Sequence, residues 1–143
     1  MSKITTFEQA KRLQALGIYI VSDCGYVGYT KSGELVSRRK FKEDKDYQLI
    51  PSWIRVYTVS DALDWVREEF NLMCGVYPTM RPSTAIDNPK WAAYRWSIME
   101  YERDSETGIN KVEYIERNEW FDTHHLASSA LLDAVLTYLE EKK

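Results

Sequence analysis

From Val59 onward, apolar side chains recur at helical spacing. Val59, Ala62, Leu63, Val66 and Phe70 form one stripe, with Trp65 at its edge. Asp64, Arg67, Glu68 and Glu69 fall mostly off it and make a solvated face. Thr58 precedes the stripe as a good N-cap, and Asp61 stands where a capping box places an acid. Asn71 tolerates the left-handed conformation that ends a helix. Residues 72–77 follow at once as a short apolar strand, closed by Pro78. A helix that runs into a strand with no loop needs a sheet for that strand to join. The stretch 57–79 is therefore the unit around which the rest is organised.

Before it, Thr5 or Thr6 caps a first helix over 7–16, and Gly17 fits its stop. Residues 18–21 are β-branched and aromatic and predict a strand. Residues 26–30 and 34–37 predict a small hairpin around the turn Lys31-Ser32-Gly33. Residues 38–45 mix charges of both signs and predict an exposed loop. An extended connector with Pro51 leads into the central helix. An internal boundary, if there is one, falls here, between a helix-plus-hairpin part (1–50) and a helix–three-strand–helix unit (51–143) of one domain.

Beyond the central unit, residues 80–90 carry Pro82 and Pro89 and predict a loop. Residues 91–101 alternate. Ala92, Tyr94, Trp96 and Ile98 point one way, and Ala93, Arg95, Ser97 and Met99 the other. After a turn at 104–108, residues 111–117 return as the partner strand. The last helix begins near Asp122 or Thr123 and runs to about Glu141. With Asp122 as cap, Phe121 and Leu126 occupy the two hydrophobic-staple positions. Projected at about 100° per residue, its apolar side spans about 240° and includes Leu131, Leu132, Val135, Leu136 and Leu139. That is wider than one sheet face requires. Either another helix clasps it, or the surplus face, with Leu132 and Leu136, meets a second subunit. The expected fold is α+β in two layers: an antiparallel sheet of three or more strands, with helices mainly on one face.

Composition bounds the function. The chain has 143 residues, 44% hydrophobic and 13% aromatic, enough for one sizeable core. A net charge of −3 argues mildly against a dedicated nucleic-acid or anionic-membrane binder. No run reaches the roughly 20 apolar residues that cross a bilayer. The start, MSKITTFEQAK, lacks the apolar core of a signal peptide, so a cytoplasmic location is expected. Two cysteines, Cys24 and Cys74, fit a reducing compartment, with a disulfide between them the less favoured alternative.

Chemistry is sparse. His124-His125 could join the cysteines around zinc, but neighbours on a helix diverge by about 100° and no Cys-x-x-Cys element exists. Surface or cap-proximal histidines are the plainer reading. Cys74, inside an apolar strand, reads as a buried thiol sooner than a nucleophile. Glu68-Glu69 and Glu140-Glu141 read as solvation. No phosphate-cradling or nucleophile-elbow motif is present, and no cofactor is expected. Five tryptophans and ten tyrosines are mostly core material. A subset facing outward with Tyr77, Arg95 and Lys111 would make an aromatic–basic sheet surface for a peptide or single-stranded nucleic acid.

Two resemblances follow from these residues. The order helix, three strands, helix is similar to the layout of a double-stranded RNA-binding domain. Asp122-Thr123-His124-His125 stands where that family carries a basic cluster. The chain as a whole resembles small uncharacterised proteins of gut Bacteroidetes and of their phages and mobile elements. The residues that carry this are Thr5-Thr6-Phe7-Glu8-Gln9-Ala10-Lys11 with Leu16-Gly17, the helix Ser60-Asp61-Ala62-Leu63-Asp64-Trp65-Val66-Arg67-Glu68-Glu69, and Val76-Tyr77-Pro78-Thr79. The Trp96 strand and Phe121-Asp122-Thr123 before an Ala/Leu-rich helix complete it, with two histidines replacing the family's acidic helix start. This implies a small cytoplasmic α+β protein with no assigned activity, and it carries over no catalytic residue. The functional expectation is a non-enzymatic interaction or accessory protein with a protein partner or a second copy of itself. The alternatives are a nucleic-acid-binding accessory protein, using the sheet face or residues 38–42, and a small enzyme with an unrecognised site.

Overall fold

In the computed structural model, residues 4–18, 20, 24–37, 53–79, 93–103, 106, 110–116 and 119–141 are described. The loops expected at 38–45 and 80–90, and nearly all of the turn at 104–108, lie outside them. The chain has the mixed α+β class that its patterning predicts, with three helices and antiparallel strand pairing. It divides into two compact units, Met1–Trp65 and Val66–Lys143.

The first unit opens with α1 (Phe7–Ala15). Thr6 is its cap: the Thr6 hydroxyl accepts from Gln9 N at 3.2 Å, and Gln9 Oε1 accepts from Thr6 N at 2.9 Å. Gly17 (φ 88°) ends the helix, donating to Gln14 O, while Ile18 N donates to Leu13 O. That pair of bonds is a Schellman stop. Of the strand expected at 18–21, Ile18 spends its amide on the helix end and neither Ile18 nor Ile20 is in a strand, while residues 19 and 21 lie outside the described residues. The hairpin forms as expected, from β1 (Tyr26–Tyr29) and β2 (Leu35–Ser37), with a bulge between Tyr26 and Gly28.

Ile54 pairs with the hairpin's other edge. Tyr29 N donates to Ile54 O at 2.7 Å, and Ile54 N to Tyr29 O at 2.9 Å. A Cβ on Gly28 would lie 2.7 Å from Ile54 O, so this close approach requires glycine. Fully buried Thr5 ties the unit together. Its N–H donates to Tyr57 O, its hydroxyl accepts from Tyr57 N, and its carbonyl accepts from the Tyr29 hydroxyl at 2.7 Å. Around this knot Ala10, Tyr29 and Val56 form a small core, edged by Phe7, Leu35 and Ile54. Burial raises the pKa of the Tyr29 phenol, and the charges of Cys24 and Tyr26 add to that effect. Burial also raises that of Tyr57, against an opposing pull from Arg55.

Helix α2 (Val59–Phe70) carries the chain from the first unit into the second. Its cap is Thr58, whose hydroxyl accepts from Asp61 N at 3.0 Å. Trp65, expected at the stripe's edge, is buried along with Val59, Ala62, Leu63 and Val66, and Phe70 is half-buried. Asn71 takes φ 53°, and β3 (Leu72–Thr79) starts at the next residue. In the second unit, β4 (Ala93–Arg103) lies between β3 and β5 (Asn110–Glu116), all antiparallel. Leu72, Cys74 and Val76 stand opposite Glu100, Ile98 and Trp96. This face takes α3 (His124–Glu141), which packs on β3 and β4. Thr123, not Asp122, caps α3, accepting from Leu126 N at 3.3 Å. The two staple positions thereby fall on Asp122 and Ala127 instead of Phe121 and Leu126, and Leu126 stays 48% exposed. Among the described residues no helix is long and apolar enough to cross a membrane.

Candidate functional site

The residues expected to form an interaction surface separate into three places. Tyr77 and Arg95 are direct partners across β3 and β4, on the sheet face that α3 does not cover. Both are half-buried. Lys111 does not join them: its backbone pairs with Glu102, seven residues along β4 from Arg95, about 23 Å at the rise of a strand. Leu132 and Leu136 are corrected outright. Each is 0% exposed, as are Leu131 and Val135, so these side chains belong to the core of this chain.

The residue that completes the Tyr77–Arg95 pair is Trp120. The Arg95 guanidinium carbon sits 5.3 Å from the centre of its ring, within cation–π range. Phe121 forms a two-bond bridge with Tyr94, both bonds at 2.9 Å, which prolongs the sheet edge past β5. Alternation then places Trp120 on the Arg95 face. Sequence reasoning missed it because the apolar pair Trp120-Phe121 sits just before a helix, where a staple explains Phe121 and nothing marks Trp120.

A second feature lies on the covered side. Beside α3, toward β5, runs a groove of about 380 Å³, within the size range of ligand sites. Trp96, Ile98, Ala130, Ala134 and Tyr138 make its floor and walls, with Ile115 from β5. The exposed residues Glu119, Asp133, Thr137 and Glu141 form its rim. The Tyr138 hydroxyl donates to the Glu100 carboxylate, which fixes that wall. None of the described lining residues is basic. The arrangement offers apolar burial beneath a ring of carboxylates.

Neither cysteine is in a disulfide, and Cys74 is buried. His124 Nδ1 lies 3.3 Å from Ser128 Oγ, and its ring packs edge-on to Tyr94. His125 Nδ1 lies 3.2 Å from the capping hydroxyl of Thr123. Both histidines are thus engaged around the helix start. No group of three or more His, Cys, Asp or Glu among the described residues could hold a metal ion. Comparison of the chain with protein-family models, with curated proteins and with solved structures finds no match to any of them.

Proposed function

We propose that the second unit is a two-layer α+β binding module, with helix cover on one face of its antiparallel sheet, and that it recognises a protein partner through the groove beside α3. The role is non-enzymatic and cytoplasmic. The resemblance to phage and mobile-element proteins makes it an accessory one. The observation that carries this reading is the groove itself, an apolar floor under exposed carboxylates, mounted on a helix and a sheet that are otherwise packed. Rigid elements hold a recognition surface better than loops do. Self-association through Leu132 and Leu136 is not retained, because both side chains are spent on the chain's own core.

A photo-crosslinking residue tests the proposal. Placed at Thr137 on the rim, it should give discrete protein adducts in cells. Placed at Met73, which is 54% exposed on the other sheet face, it should give none. Adducts only from position 73 would overturn the choice of surface.

A second reading has its own support. Tyr77, Arg95 and Trp120 form an aromatic–cation cluster suited to stacking unpaired bases. The net charge of −3 opposes it. Binding of labelled single-stranded DNA or RNA that weakens with salt and is lost in Trp120→Ala would favour this reading.

A further inference from the structure

We infer that the occupant of the groove is an amphipathic helical segment of a partner, apolar on one side and flanked by lysine or arginine. The inference rests on the groove being the binding surface. Three observations specify the chemistry. The floor is apolar and includes nearly fully buried Trp96 and Ile98, so the ligand must bring apolar side chains to gain from entering. On the α3 side the wall is built from Ala130, Ala134 and Thr137, small residues that recur one turn apart and let a second helix approach closely. The rim carries Glu119 on one side and Asp133 and Glu141 on the other. Asp133 and Glu141 are eight residues apart, about 12 Å along α3, the distance that cations two turns apart on a facing helix would span. An anionic segment would meet the carboxylates of Glu119, Asp133 and Glu141, and like charge disfavours it.

Two model peptides on the intact chain test this by fluorescence anisotropy. Both are about 18 residues long, enough for appreciable helix alone. One is built from leucine and lysine, the other from leucine and glutamate, with the same apolar stripe. The lysine peptide should bind at least roughly tenfold more tightly at low salt, and the preference should shrink as salt is raised. Glu119→Lys and Glu141→Lys, both at exposed positions, should each weaken the lysine peptide several-fold and improve the glutamate one. Thr137→Trp, which obstructs the groove from its rim, should abolish binding of both.

If the two peptides bind equally and Thr137→Trp blocks both, the groove is the site but its cationic selectivity is wrong. If Thr137→Trp leaves the lysine peptide unaffected while circular dichroism shows an intact fold, the groove is not the site and the underlying function falls with it. If the charge reversals change neither affinity, the assignment of the rim carboxylates is overturned.

Discussion

Replacing Leu136 by alanine separates the two meanings that a wide apolar helix can have. If α3 kept its surplus for a second copy, the isolated chain would expose Leu136 and lose little by its truncation. The structure instead buries it completely, within the 18-residue helix α3. Large-to-small changes at such sites lose the transfer energy of the deleted carbons and leave a cavity, together about 3 kcal/mol, within a usual span of roughly 2 to 5. Domains of this size hold only about 5 to 15 kcal/mol in total. Leu136→Ala should therefore remove a large share of the stability and shift the urea midpoint strongly. Leu126→Ala, on the same helix but 48% exposed, is the control, with an expected cost below about 1 kcal/mol. Tryptophan fluorescence follows both, at two protein concentrations about tenfold apart. The reasoning is refuted if Leu136→Ala costs no more than Leu126→Ala. It is equally refuted if the wild-type midpoint rises with concentration and Leu136→Ala abolishes that rise, the signature of an intermolecular contact.

Gly28→Ala should cost roughly 2 kcal/mol, because the new methyl meets Ile54 O at 2.7 Å and both bridge hydrogen bonds, each worth about 1 kcal/mol net, must lengthen or break. Faster amide exchange at Tyr29 and Ile54, with little change at β3 and β4, is the expected local signature. Alkaline pH should destabilise the fold through Tyr29 and Tyr57. Both are raised above 10.0 by burial, so their contribution is complete below the unfolded value and is lost as pH climbs through the higher folded values. Urea midpoints followed upward from about pH 8 should stay level until near pH 10 and then fall. Tyr29→Phe should remove part of that fall and, by leaving the Thr5 carbonyl without its phenol, lower the plateau by about 1 to 3 kcal/mol.

What was legible in the sequence was chiefly local. Thr58, Asp61 and Asn71 announced α2 and its abrupt end because caps are short-range chemistry, satisfied within one turn. The alternation of Trp96 and Ile98 named the buried face of β4 for the same reason. Ile18 misled because β-branched composition suits a strand, whereas the helix end competed for its amide. The failures at the candidate site share a cause. Periodicity reports how much of a helix is apolar but not what covers it, so Leu132 and Leu136 could not be assigned to core or interface. Cross-strand register is likewise invisible until the turn is formed, so the sequence does not separate Lys111 from Arg95 or mark Trp120, the actual neighbour. The groove arises from side chains on β4, β5 and α3 together, and no single stretch of sequence displays it.

The joint at Asn71 bears on how such a chain can change over generations. One residue converts helical periodicity into strand alternation, and Arg67 Nε reaches across it to Cys74 O at 2.8 Å. Inserting or deleting a single residue there would turn Leu72 and Cys74 away from α3 and bring Met73 under it. Indels are tolerated where a loop can absorb them, and this junction has none. Descendants are free to vary in length elsewhere, but the step from Phe70 to Leu72 is a fixed count, and relatives too distant for residue identities to match should still preserve it.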